Sequence, residues 1–195
     1  MFSRILTLTS FFFVLGCASV VQLEELGSQF ESDWQGVETS PTILVVGYAY
    51  DPEKRLDFEQ SMVGALRSIG ISAEASAGRM PDLRSINGAL LADYLTDSKN
   101  SALLLARALS VTTRQSRKVE TASMRGLFED TTIRWDVETG AQLEASLYVQ
   151  DFEGAVWTQW SQIRAGESIG AEALDAYVEA LLESMIREGV VDRLR

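Results

Sequence analysis

Thr42-Ile43-Leu44-Val45-Val46-Gly47-Tyr48, followed at once by Asp51-Pro52-Glu53, is the stretch that decides the fold. The first seven residues are β-branched and almost continuously apolar. Such a run reads as a central strand covered on both faces. Asp51 then offers a side-chain acceptor to an early backbone N–H. Pro52 suits a first helical turn, where its missing donor costs nothing, and Glu53 suits the positive helix end. Phe58, Met62, Ala65, Leu66 and Ile69 recur at helical spacing, and Gly70 is a natural stop. Ile71-Ser72-Ala73-Glu74-Ala75 follows as a second strand. A strand, a helix and a strand in close succession predict a βαβ unit with the strands parallel.

Beyond this unit, Ser85–Leu95 carries Ile86, Leu90, Leu91 and Leu95 on one side and is expected to be a second helix. Residues 102–113 begin with helix formers and end in alternating, β-branched residues, and we read them as a strand. From 131 onward a three-strand meander is expected. Ile133, Trp135 and Val137 alternate with charged residues, and Glu138-Thr139-Gly140 supplies a turn. Leu143, Ala145, Leu147 and Val149 alternate with polar residues, Asp151-Phe152-Glu153-Gly154 supplies a second turn, and Val156–Ile163 is the last strand. Ser168–Arg187 closes the chain as an amphipathic helix with Ile169, Ala173, Leu174, Tyr177, Leu181 and Met185 inward. The fold class is therefore α/β, an α+β two-layer arrangement whose mixed sheet has the order β-α-β-α-β-β-β-α, in a single domain over residues 42–195.

Upstream, Arg4 is the only charge before Glu24, and an apolar stretch of eleven residues runs from Ile5 to Leu15. A membrane-spanning helix needs about 20 residues. A charged start and a short apolar core instead read as a secretory signal. Val14-Leu15-Gly16-Cys17 then resembles the bacterial lipobox. The resemblance implies a signal peptide over residues 1–16, lipid on the thiol of Cys17, and cleavage that makes Cys17 the first residue; the alternatives are an ordinary signal-peptidase cut after Gly16-Cys17-Ala18 and an uncut anchor. Ala18, where aspartate would retain the protein at the inner membrane, implies sorting to the outer membrane. Cys17 is the only cysteine, so no internal disulfide forms, and acylation caps a thiol that an oxidising compartment would attack. Residues 17–41 would then form a lipidated tether, at most about 80 Å long when stretched. Within it Leu23, Leu26, Phe30, Trp34 and Val37 fall at helical spacing. That stripe predicts a short helix, packed on the domain or docked on a partner.

The formal charge is −11, and it becomes −12 once Arg4 leaves with the signal. This balance argues against nucleic acid, which needs clustered lysine and arginine. Histidine is absent. Ser-His-Asp and Cys-His catalysis, the usual zinc sites and a histidine pH switch are thereby excluded. There is no P-loop and no Asp-x-Asp-x-Asp-Gly calcium loop, so no cofactor or metal is expected.

Val45-Val46-Gly47, Asp51-Pro52-Glu53, Arg55 and Phe58-Glu59 resemble a group of bacterial lipoproteins of unassigned function. The element order is also similar to the amino-terminal domain of TolB and to the lipoproteins LpoB and CsgG, which share an anticodon-binding-like layout. The resemblance implies an adaptor or assembly factor, not an enzyme, anchored by lipid and working with an envelope protein partner.

Two features remain as candidate partner-binding sites. Arg114, Arg117, Lys118 and Arg125 concentrate positive charge in what reads as a long loop, 114–130, either a contact for an acidic partner or glycan or a solvated hairpin tip. Trp157 and Trp160 fall on opposite faces of one strand, so one is expected in the core and the other either partly exposed, for stacking or as an interface hot spot, or covered by the tether. No catalytic residue is assigned. Asp51 and Glu53 have capping roles, and Asp57 and Glu59 read as helix-surface charges. The functions in view are a non-enzymatic adaptor or assembly factor, a periplasmic small-ligand or glycan binder, and a carboxylate-dependent hydrolase.

Overall fold

The computed structural model describes residues 21–49, 51–80, 88–97, 101–124, 128–166 and 169–195, with backbone alone at 88–90, 97, 101, 117–124 and 128–136. The signal, the lipobox with Cys17, and Arg125 lie outside the described residues.

Six strands form one mixed sheet in the spatial order β1-β6-β5-β4-β2-β3. The βαβ opening is β2 (Thr42–Tyr48), α1 (Pro52–Ser68) and β3 (Ala73–Ala75), with β2 and β3 parallel and in register from Ile43 opposite Ala73. Asp51 caps α1 through its side chain, which accepts from the Glu53 amide at 3.0 Å, and Gly70 leaves the helix with a positive φ of 84°. A 3₁₀ turn at Ser76–Gly78 and α2 (Gly88–Asp97) lead to β4 (Ser101–Met124), which pairs parallel to β2. β5 (Phe128–Val149) and β6 (Ala155–Ala165) complete an antiparallel meander, and α3 (Ala171–Arg187) and α4 (Val190–Arg193) end the chain.

The architecture is α+β in two layers. Sheet residues Ile43, Val45, Ala102, Leu104, Ala145, Leu147, Trp157 and Ile163 meet Phe58, Met62 and Leu66 of α1 and Tyr177, Leu181 and Met185 of α3 in the main core. On the other face Leu44, Val46 and Leu103 meet Leu91 of α2 in a smaller cluster. β2 is therefore covered on both faces, which accounts for its unbroken apolar run.

Three expectations fail. Residues 22–30 are a strand, β1 (Gln22–Phe30), and not a helix. β1 pairs antiparallel with β6 from Gln22 opposite Arg164 to Phe30 opposite Trp157. An irregularity between Glu25 and Gly27, where Gly27 has φ 151°, keeps Leu23 and Phe30 on the core side although their spacing is odd. Arg187 holds the strand by donating to Glu25 at 2.7 Å, and Glu188 binds the Trp157 indole N–H at 2.9 Å. Residues 22–30 therefore pair into the sheet and do not form a free tether.

Second, 114–130 is no loop, since β4 runs on to Met124 and β5 begins at Phe128. Third, Glu138-Thr139-Gly140 is no turn. It lies inside β5, with Gly140 opposite both Thr112 and Arg164. A Cβ on Gly140 would stand 3.3 Å from the Thr112 hydroxyl oxygen, so glycine there reflects close packing of neighbours and not a reversal. The two short strands expected around 133–137 and 143–149 are thus one, and from Thr42 on the main elements follow β-α-β-α-β-β-β-α.

Candidate functional site

The C-terminal end of β2 is held by a buried ion pair. Arg55 and Glu59, one helical turn apart on α1, are 2% and 0% exposed and meet at 2.8 Å. One Glu59 oxygen accepts from the Arg55 Nε, the Gly47 amide (3.0 Å) and the Ser76 hydroxyl (2.7 Å); the other accepts from the Ala77 amide (2.7 Å). Arg55 further donates to Ser76 and to the Met80 carbonyl. Every charge-bearing atom that faces the interior has a partner, so the pair clamps α1 to β2 and to the turn after β3. Glu59 is committed to structure and is not a helix-surface charge.

Above this clamp opens an apolar cleft of about 390 Å³. Its floor is the sheet, at Ala106, Ala108, Ala141, Leu143 and Ile163, and its walls are the first turns of α1 and the start of α3 with Ile169. The hollow exists because three floor positions carry alanine, where larger side chains would fill the space. A register shift between Ala108 and Ser110 changes the parity of β4 and brings Val111 and Thr113 to the cleft side. Val111 is 63% exposed at the mouth and Tyr48 is also exposed there. Phe58 and Tyr177 stack at 5.9 Å and close the bottom. The Tyr177 hydroxyl is buried with no hydrogen-bond partner among the described residues. Burial, aided by the charge of Glu144, raises its pKa far above the ordinary phenol value, so it stays protonated. Lys54 and Arg107 stand at the rim, and no carboxylate lines the cleft among the described residues. A volume and lining of this kind suit an apolar ligand oriented by few polar groups.

From the same end of the sheet the β4–β5 hairpin projects as an arm. β2 stops opposite Arg107 and β6 stops opposite Thr139, but β4 and β5 stay paired from Arg114 opposite Glu138 to Met124 opposite Phe128. Eleven pairs at about 3.3 Å per residue give an arm roughly 35 Å long. Gln115 opposite Val137, Arg117 opposite Trp135 and Val119 opposite Ile133 fall on one face by register. Arg114 opposite Glu138, Ser116 opposite Asp136 and Lys118 opposite Arg134 fall on the other. Near the root the first face holds Val119, Ile133, Trp135 and Val137 beside Arg117, and the second is mostly charged; toward the tip Thr121, Thr131, Ser123 and Glu129 fall on the first face, and Ala122, Met124 and Phe128 on the second.

Of the residues singled out from sequence, Arg114 is exposed at the root of the arm, and Arg117 and Lys118 lie along β4. The structure brings these three onto one element. Trp157 is wholly buried in the core and bound to Glu188, so it presents no surface to a partner. Trp160 lies on the opposite face, partly buried, with its indole N–H on Glu144 (3.0 Å), which also pairs with Arg107 (2.7 Å). Sequence reasoning missed the cleft, since its maker is a set of alanines and a bulge. It also missed the apolar register face of the arm, which Val119, Ile133, Trp135 and Val137 signal only once the two strands are aligned.

The fold and site define a two-layer α+β domain with a projecting hairpin and an apolar cleft at its root. No protein-family model matches the chain, and no curated protein matches it. Among solved structures it is similar to the PelC dodecamer from Paraburkholderia phytofirmans in two crystal forms. One, at 11% identity and a TM-score of 0.43, covers 90% of this chain and 97% of that one. The other, a single-substitution variant at 9% identity and 0.45, covers 85% and 96%. A minor lipoprotein from Acinetobacter baumannii is similar at 9% identity and a TM-score of 0.35, covering 75% of this chain and 92% of its own.

Proposed function

We propose that the protein is an envelope lipoprotein, held to the outer membrane by lipid on Cys17, whose periplasmic domain serves as a non-enzymatic adaptor or assembly factor by gripping a protein partner with the β4–β5 arm. The arm carries this reading. An isolated two-stranded ribbon is marginally stable in water, so a ribbon of eleven pairs beyond the sheet gains most when something covers it. The apolar positions Val119, Ile133, Trp135 and Val137, which share one register face toward its root, and the exposed Val111 and Leu109 below them suit a protein surface better than a polyanion or a bare glycan. The lipobox residues Val14-Leu15-Gly16-Cys17 with Ala18 support the compartment. A hydrolase using two carboxylates would need them facing one cavity, and the cleft offers cations, alanines and aromatic rings instead.

Photocrosslinking from a reactive residue at position 115 or 119, followed by capture from solubilised membranes, is expected to yield one discrete heavier species. A smear or the bare monomer at all positions along the arm would count against the adaptor reading.

A further inference from the structure

We infer that the cleft takes one acyl chain of the lipid borne by Cys17. The inference rests on the lipoprotein reading above and adds an occupant for the cavity.

The path of the chain points there. β1 begins at Gln22 opposite Arg164, and Leu23 lies opposite Ile163, which lines the cleft. Val21 and Leu23 both pack against the main core, as does Ile169 at the cleft wall. The chain therefore leaves the domain at the end of the sheet where the cleft opens, one strand away from its floor. From Val21 back to Cys17 there are four Cα steps, at most about 14 Å of backbone. A lipid on Cys17 cannot stray far from this rim, whichever way the intervening residues run.

The chemistry of the cavity fits the same occupant. Ala106, Ala108, Ala141, Leu143 and Ile163 make a smooth apolar floor that offers a tail no hydrogen bond and demands none. The rim carries Lys54 and Thr113, which suit an ester or amide carbonyl at the head of the chain. An acyl chain in a bilayer and one in an apolar cleft are both shielded from water, so the exchange between them is close to balanced. The cleft matters most when the protein is away from a bilayer, because it hides a tail that would otherwise be wet.

Cells are grown with a palmitate analogue bearing a diazirine and an alkyne, and the full-length mature protein is purified in detergent and irradiated. The expected result is the probe on the Cys17 peptide, together with an intramolecular crosslink from it to 106–113 or 139–143. Val111→Trp at the exposed mouth and Ala141→Trp on the floor should each cut that crosslink at least tenfold while the Cys17 label is unchanged; the mouth variant guards against a floor variant that fails to fold. A labelled Cys17 with crosslinks only to detergent or to other surfaces overturns the inference. So does a cleft crosslink that traces to a membrane phospholipid and not to Cys17. An unlabelled Cys17 overturns it together with the lipoprotein reading, and the two failures are told apart by that label.

Discussion

Glu59→Ala is expected to destabilise the domain by about 3–5 kcal/mol, the range seen when one partner of a buried ion pair is removed. The reason is local. The substitution strands the Arg55 guanidinium in a site where it is 2% exposed, and it removes the acceptor of the Gly47 and Ala77 amides and of the Ser76 hydroxyl. For a domain of this size each kcal/mol lowers the melting temperature by roughly 2–4 °C, so a fall of about 6–20 °C is expected. Urea unfolding of the two proteins measures the free-energy loss, and thermal unfolding the fall in melting temperature. Replacing both partners, Arg55→Met with Glu59→Leu, removes the unpaired charge but still leaves the two amides without their acceptor. The double variant is therefore expected to recover part of the loss and not all of it. A single variant within 1 kcal/mol of the parent would show that the clamp does not hold α1 to β2.

The second large effect is on binding. Excising 114–138 and joining Thr113 to Thr139 through Asn-Gly should abolish partner capture while leaving the domain folded. Thr113 and Thr139 are directly opposite in the ladder, so a two-residue turn of the type that Asn-Gly favours closes the hairpin there. The sheet below keeps every neighbour: β6 still pairs with β5 up to Thr139, and β2 with β4 up to Arg107. Among the described residues the arm makes no ladder with any strand but its own partner, so its loss is expected to change the unfolding free energy by no more than about 1 kcal/mol, in keeping with the marginal stability of two-stranded ribbons. Capture that survives the excision would move the partner surface elsewhere, to the open sheet face around Trp160. Loss of folding would mean the arm belongs to the core.

How far the sequence was legible follows the strength of local signals. The βαβ opening was plain, because an apolar β-branched run, a proline at the helix start and a glycine at its end all agree. β1 was misread since a bulge beside Gly27 lets a strand imitate helical spacing: Leu23 and Phe30 share a face in both conformations. The arm was misread since charged and hydroxyl residues between 114 and 132 carry no alternation against a core, and pairing between two strands, not burial, is what orders them. Composition shows the basic cluster, and only strand pairing shows its geometry. From sequence Glu59 reads as a helix-surface charge because its partners, Gly47, Ser76 and Ala77, are distant along the chain and only the fold gathers them. The cleft escaped notice for the same reason. Ala106, Ala141 and Ile163 say nothing separately, and the space they leave exists only when three strands lie side by side.

The proposed compartment, the proposed anchor and the inferred occupant of the cleft all rest on acylation of one thiol, so the most direct measurement is the mass of the amino-terminal peptide from the membrane fraction. We expect a chain that starts at Cys17 and carries a diacylglyceryl group on its sulfur. A peptide that retains residues 1–16, or one in which the sulfur of Cys17 is bare, would contradict the account.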